Sequence, residues 1–487
     1  MSLQIVSVNT YIVTMTSWTP DLSSRLGPRY RAIADALADD VAHGRLPIGS
    51  QLPTHRELAH RLKVTVGTIT RAYAEAERRG LIGGEIGRGT FVRGHQDSLP
   101  TALADSTALA EPLTPTSGNS SPIDFTICQP HATEVDRALA EAVATLGLSG
   151  RLADVLGYAP HLGLPRHRAA GAQWLIRRHR VTASADTTVI TIGAQNGTTL
   201  ALAAIARPGD VVLCEQLTYY GVKAIAALLG HKLEGVAIDE HGLIPQAFDA
   251  ACRRVNPRAL YLIPTIHNPT ASVMPQERRT EIVAIARRHG VYLIEDDVFG
   301  YLAPDAPPPI QRIAPDITVF LSSLSKCIAS GLRVGYAIAP PAVISRYEAA
   351  IRAFHYSSPA LMAEIAAHWI TSGQADSFAD AHRQEALARQ KLARDILPNH
   401  LLQGHNAGQH LWMNLPEPWR REDFTAEALR RGVAVTGADI FAVGRAGVPH
   451  AVRLSLCMPA TRAEVQKGAQ ILTEVINDSI HTSYSVV

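Results

Sequence analysis

Lys326 stands in the run LSSLSKCIASGLRVGY (residues 321–336), just behind Ser323 and Ser325 and seven residues ahead of Arg333. The chain has six lysines against forty arginines, so this lysine is not one of a crowd on a solvated face. A lysine amine forms an imine with an aldehyde, and hydroxyls with an arginine beside it suit a phosphate. Other residues with chemistry to offer stand upstream. Gly193-Ala194-Gln195 is a small-residue turn opening a helix, where the backbone of Ala194 and Gln195 suits a phosphate. Tyr219 can stack on a ring, Asn268 can hydrogen-bond a ring hydroxyl, and Asp296 can keep a pyridine nitrogen protonated. Singly, each has an ordinary structural role as a turn, a loop, a helix cap or a surface arginine. Jointly they meet the demands of pyridoxal 5'-phosphate, an aldehyde whose protonated ring acts as an electron sink.

Each residue is placed by a short β-branched run. TTVITI precedes the Gly-Ala-Gln turn, DVVLCE precedes Tyr219, ALYLIPT precedes Asn268, VYLIE precedes Asp296, TVFLSS leads to Lys326, and RVGYAIA follows it. Alanine-rich helical stretches alternate with these runs, which predicts an α/β unit with a mostly parallel, buried sheet and ligands at the strand ends. The 487 residues leave room for a large two-lobed domain and a small one. No apolar run approaches the roughly 20 residues of a membrane span, and the first residues lack the features of a secretion signal. Five scattered cysteines, never in CxxC spacing, argue against a disulfide framework and a zinc site, so a reducing cytoplasm is expected. His400, His405 and His410 read as surface residues with no metal, and Cys327 as a packing residue.

Charge is uneven along the chain. Residues 28–93 hold eleven Arg or Lys against seven Asp or Glu, a balance of +4, in a chain of +2 overall, so the remainder sums to −2. A basic module on a slightly acidic body fits one part that meets phosphates and another that does not. The organisation predicts an irregular leader over 1–27, a helical module over 28–94, a Ser/Thr/Pro-rich linker over 95–122 and the α/β unit over 123–487. In the module, Thr54 and Glu57 form a capping box ahead of a short helix carrying Leu58 and Leu62. A tight turn at Lys63 and Val64 leads to a second helix that turns Ile69 and Tyr73 inward and Thr65, Thr68 and Arg71 outward. LIGGEIGRGTFV then reads as two strands around a glycine-rich turn bearing Arg88. This is a helix-turn-helix with a wing.

The runs Leu52–Ala59, Val64–Ala72 and Gly87–Val92 resemble the winged-helix domain of the GntR family of bacterial regulators. The resemblance implies that Arg56, Thr65, Thr68, Arg71 and Arg88 face double-stranded operator DNA. Val66 and Gly67 stand where relatives often place polar base readers. The order GAQ, NPT, EDD, SLSK, SGLRVGY resembles fold-type I, class I/II aminotransferases, with a smaller α+β lobe in the C-terminal text. Arg453 there matches the arginine that grips a substrate α-carboxylate, and Tyr158 a residue reaching the neighbouring subunit's cofactor. The fusion resembles the MocR branch of the GntR family. That resemblance implies a cytoplasmic homodimer that regulates transcription, with Lys326 holding pyridoxal phosphate and an amino compound sensed as an external aldimine. Two alternatives stay open: an active aminotransferase carrying a DNA-binding domain, and a regulator that senses the cofactor itself. Phe299, near the position of a family tyrosine, has no hydroxyl for the cofactor's ring oxygen, which tilts the balance towards sensing.

Overall fold

The chain divides into two units, residues 1–101 and 102–487. The computed structural model describes residues 18–22, 28–42, 45–47, 50–78, 81–85, 89–92, 121–130, 134–444 and 447–484. Most of the leader and of the linker therefore lies outside the described residues, and Arg88 with them.

In the first unit, helices α1 (Arg29–Ala42), α2 (His55–Leu62) and α3 (Val66–Arg78) precede an antiparallel hairpin, β1 (Ile82–Glu85) and β2 (Gly89–Val92). Thr54 caps α2 by accepting the Glu57 N–H at 3.3 Å. The box is one-sided, because the Glu57 carboxylate turns to Arg61 at 2.5 Å. Lys63 takes a left-handed backbone, φ 50°, which reverses the chain within one residue and lets α3 follow α2 closely. Leu58, Ile69, Tyr73 and Ile82 share one core. Trp18, expected in an irregular leader, belongs to that core, and its indole N–H donates to Asp40 at 2.9 Å.

The second unit is built on seven strands: β3 (Thr188–Thr191), β4 (Val211–Glu215), β5 (Lys232–Val236), β6 (Ala259–Leu262), β7 (Tyr292–Asp296), β8 (Thr318–Ser323) and β9 (Gly335–Ile338). Their order is β3-β9-β8-β7-β6-β4-β5. Only β9 runs against its neighbours, and the other pairings are parallel. The predicted mostly parallel sheet is thus present, with β8 buried along its whole length, as a central strand covered on both faces must be. Helix α4 (Gly193–Ile205) leaves the end of β3 and packs on the sheet with Leu200, Ala201 and Ile205.

A smaller lobe follows. Strands β10 (Leu402–Gln403), β11 (His410–Asn414), β12 (Thr436–Gly437) and β13 (Ala451–Ser455) pair antiparallel in the order β10-β11-β13-β12. Their core takes Ala393, Phe424 and Val465 from helices α5 (Gln374–Ile396), α6 (Arg421–Arg430) and α7 (Arg462–Tyr484). One histidine departs from the surface role expected of it. His410 is fully buried, because it begins a central strand, and its Nε2 lies 3.1 Å from the His267 carbonyl. Among the described residues no helix is long and apolar enough to cross a membrane.

Candidate functional site

Lys326, Ala194, Gln195, Tyr219, Asn268, Asp296, Ser323, Ser325, Arg333 and Arg453 all line one cavity of about 260 Å³. The strand ends of the large sheet supply most of them, and β13 of the smaller lobe supplies Arg453. Lys326 brings an amine to the set. It is half-buried, and loss of solvent around the amine, the largest influence on it, pushes its pKa below the ordinary lysine value, towards the uncharged amine that attacks a carbonyl. Its Nζ donates to the Cys128 carbonyl. The lysine's own carbonyl accepts from the Tyr301 hydroxyl at 2.6 Å and the Gln409 amide at 2.5 Å, which fixes the main chain beneath the amine.

Asp296 ends β7 between two other buried carboxylates. Its Oδ2 accepts the Tyr261 hydroxyl at 2.6 Å, while Oδ1 is buried with no partner among the described residues. Burial pushes the carboxyl up to about 6, against the pull of the Tyr261 bond. A buried carboxylate oxygen left unpaired is costly, and a protonated ring nitrogen is the kind of donor that would complete it. Its neighbours serve the scaffold. Glu295 accepts the Ile310 and Gln311 N–H groups at 2.9 and 2.8 Å and is pushed up to about 7 by burial. Asp297 lies 2.8 Å from His179 Nδ1, whose Nε2 is 3.0 Å from the Ser322 hydroxyl.

The N-terminus of α4 borders the cavity at Ala194 and Gln195. Gly193 has φ +77°, and a Cβ there would sit 2.8 Å from Arg333 Nη2. Arg333 itself holds a left-handed backbone, φ 52°, a conformation that costs a residue with a Cβ roughly 1–2 kcal/mol. Its guanidinium makes only long bonds, 3.3 Å to the Ser330 and Ile192 carbonyls and 3.4 Å to Ser325 Oγ, so its donors keep capacity for a phosphate. The Tyr219 hydroxyl donates to the Gln195 side chain at 3.1 Å. At the other end, Arg453 Nη1 donates to Asn268 Oδ1 at 2.8 Å and Nη2 to the Thr126 carbonyl. Its Nε has no partner among the described residues, and the guanidinium lies 4.8 Å over the Phe441 ring. With its oxygen engaged, Asn268 has its amide N–H groups to offer. Phe299 lines the cavity without a hydroxyl, and the nearby Tyr301 hydroxyl is held by the Lys326 carbonyl.

In the first unit, Arg56 and Arg71 are exposed on α2 and α3, and Thr68 is half-buried. Thr65 caps α3: its Oγ1 accepts the Thr68 N–H at 3.2 Å and lies 2.9 Å from the Thr68 hydroxyl. Val66, at the start of the helix, is 45% exposed, an apolar face where a groove-reading helix usually carries polar groups.

The model of the family "Aminotransferase class I and II" matches residues 125–472. The chain belongs to that family. The model of "Bacterial regulatory proteins, gntR family" matches residues 29–92, so the arrangement is of MocR type. Over 479 residues the chain is 29% identical to the uncharacterized HTH-type transcriptional regulator YdeF of Bacillus subtilis, covering 97% of this chain and 99% of that protein. It is 27% identical over 404 residues to the HTH-type pyridoxine biosynthesis transcriptional regulator PdxR of Corynebacterium glutamicum, covering 81% and 85%. The structure of Pyrococcus horikoshii kynurenine aminotransferase superposes with a TM-score of 0.67 at 20% identity, covering 74% of this chain and 92% of that one. That likeness establishes the fold-type I architecture of the large unit.

Sequence reasoning missed part of this aminotransferase-family cavity. Cys128, Tyr220 and Val298 line it, and Tyr261 holds Asp296 from behind. The run TICQP around Cys128 follows the linker without periodicity and gave no signal. Tyr261 did give one, since a tyrosine inside an otherwise aliphatic buried strand needs a partner for its hydroxyl.

Proposed function

We propose that the chain is a transcription regulator whose large unit holds pyridoxal phosphate on Lys326 and answers to an amino compound, while its GntR-type unit holds double-stranded operator DNA in the cytoplasm. When bound, the cofactor supplies an aldehyde carbon that passes from one amine to another. The observation that carries the proposal is the buried Oδ1 of Asp296, without a partner among the described residues, in one cavity with Lys326, whose pKa is lowered by desolvation. In this proposal Asp296 holds the proton of the ring nitrogen, Asn268 donates to the ring oxygen, and Tyr219 lies against the ring. Ala194, Gln195, Ser323, Ser325 and Arg333 hold the phosphate. Arg453 takes the carboxylate of the amino compound in a two-toothed fork. Arg56, Arg71 and Arg88 meet the DNA backbone and base edges, with Thr65 and Thr68 at the start of the recognition helix.

Two residues favour sensing over turnover. Transamination needs the released lysine to carry a proton at a matched pKa. Phe299 has no hydroxyl to tune the site, and the Tyr301 hydroxyl is committed to the lysine carbonyl. A homodimer belongs to the same proposal. Leu156 and Tyr158 are 78% and 86% exposed, and Tyr158 packs its ring 4.8 Å from that of Tyr356. Large apolar residues gathered on one face fit a second copy of the chain.

The test is the absorbance of the cofactor-loaded protein, titrated with a panel of amino compounds and then with a 2-oxo acid. A compound that shifts the cofactor band without yielding a new amino acid supports sensing. Accumulating product makes the protein an active aminotransferase. A band indifferent to every amine, with DNA binding that follows cofactor addition, makes the cofactor itself the signal. Lys326→Ala removes the lysine-bound band in all three cases, and a band that survives refutes the assignment of Lys326.

A further inference from the structure

Residues 123–128 enter the large unit from the connecting chain and border the cavity at Ile127 and Cys128. Every main-chain carbonyl from Phe125 to Cys128 is engaged. Phe125 accepts the Ser455 N–H at 2.8 Å, Thr126 accepts Arg453 Nη2, Ile127 accepts the Ser455 hydroxyl at 2.6 Å, and Cys128 accepts Lys326 Nζ. Upstream, the Ile123 and Phe125 N–H groups bond the Gly432 and Ala434 carbonyls, each at 2.8 Å. The segment thus ties Lys326 of the large lobe to Arg453 of the small lobe. The two carbonyl bonds with ionisable donors come from these residues, to which the proposed function gives the cofactor and the carboxylate. In sequence, the Ser/Thr/Pro-rich stretch 95–122 immediately precedes Ile123.

We infer that residues 123–128 form a strap that registers what the cavity holds: ligands that take Lys326 and Arg453 withdraw its two long side-chain donors and loosen it. This inference rests on the function proposed above. The Arg453 bond comes from a permanent cation and is of the stronger kind, and a carbonyl inside protein that loses its donor forfeits more than an exposed one would. A lysine nitrogen bound into an imine would have at most one N–H left. A ligand moves an equilibrium only through contacts that differ between two states, and here the differing contact is Lys326 Nζ on the Cys128 carbonyl or on the cofactor. With those donors gone, the strap keeps its two bonds to Ser455, the Thr436 hydroxyl on the Thr126 carbonyl at 3.4 Å, the short pairing of Ile123–Asp124 with Val433–Ala434 and the buried side chains of Phe125 and Cys128. A short segment outside the large sheet, with two of its carbonyls relieved of their donors, opens locally more readily than the sheet's central strands.

Hydrogen exchange of the full chain, read by mass spectrometry on peptides covering residues 121–130, tests the strap with pyridoxal phosphate as the probe. Exchange is read on the unreduced, cofactor-loaded protein, and a parallel sample is treated with borohydride, which gives hydride to the imine carbon while water protonates the nitrogen, so that the cofactor mass marks the loaded lysine. Exchange in these peptides is expected to quicken about tenfold in the unreduced, cofactor-loaded protein, while peptides covering Val211–Glu215 stay unchanged. Ser455→Ala, outside the cavity lining, is expected to quicken strap exchange in cofactor-free protein and leave cofactor capture unaltered. Cofactor mass on Lys326 with strap exchange unchanged or slowed overturns the strap. No cofactor mass on Lys326 overturns the function on which it rests. The wild-type comparison decides between these outcomes even if Ser455→Ala does not fold.

Discussion

Tyr261→Phe removes one oxygen from the core and leaves the cavity wall intact, so its effect reports on Asp296 alone. The Tyr261 hydroxyl is wholly buried and donates to Asp296 Oδ2 at 2.6 Å. A hydrogen bond to a charged acceptor contributes roughly 1.5–3 kcal/mol, and about 1.36 kcal/mol corresponds to one pH unit. Losing the bond therefore raises the carboxyl from about 6 to roughly 7–8. The sign follows from the chemistry: Asp296 partners a protonated ring nitrogen only when ionised, so cofactor capture weakens as pH falls through the carboxyl's pKa. Pyridoxal phosphate titrations by absorbance, run on wild type and variant at each pH from 6 to 9, are the assay. The variant should bind roughly five- to fifty-fold more weakly at pH 6 and within about twofold of wild type at pH 9. Because the lysine titrates in both proteins, the ratio at each pH isolates the aspartate. A ratio that stays constant across the range would refute the reasoning, for it would mean that the Asp296 charge does not hold the ring.

Gly193→Ala places a Cβ 2.8 Å from Arg333 Nη2 at φ +77°. Cofactor capture should fall at least about tenfold, with a lower melting temperature from the strained backbone at roughly 1–2 kcal/mol, and calorimetry with a binding titration checks both. Arg453→Lys keeps the charge but loses the fork. Responses to amino acids should weaken about ten- to a hundredfold while capture of pyridoxal phosphate changes by less than about threefold, as read in the absorbance titration. Arg71→Ala should weaken binding to operator DNA and lower the slope of log affinity against log salt by about 1, measured by fluorescence anisotropy at several salt concentrations.

Much of the cavity was legible because each strand of the large sheet ends in a residue type with its own chemistry. GAQ, Asn268, Asp296 and the serines around Lys326 stand directly after runs that could only be buried strands. The register of a parallel sheet brings its strand ends together, so sequence order alone predicts a common site. What stayed hidden had no local signal. KLEGV, strand β5, is an edge strand whose first four residues are not buried, so it lacks the aliphatic run that betrays its neighbours. The reversal of β9 depends on the tight passage through Ser330–Leu332 and the left-handed Arg333, which propensity does not mark. His410 looked like a surface residue because histidine alone says nothing of burial, and only the pairing of β11 with β13 places it inside. Thr126–Gln129 approaches the cavity through contacts nearly two hundred residues or more away in sequence, which no window on the chain can reveal.

The three consecutive carboxylates at the end of β7 have a consequence for how this chain tolerates change. Side chains alternate along a strand, so slipping the register by one residue would send a scaffold carboxylate to the cavity and Asp296 into the scaffold. Each has a different mate: the Ile310–Gln311 amides for Glu295, the Tyr261 hydroxyl for Asp296, the His179 imidazole for Asp297. A slip would break all three pairings at once and bury three mismatched charges. The cluster works as a spelling check on the strand: the same letters, read one place out of step, make no stable protein, so folded copies carry the cavity carboxylate in its place.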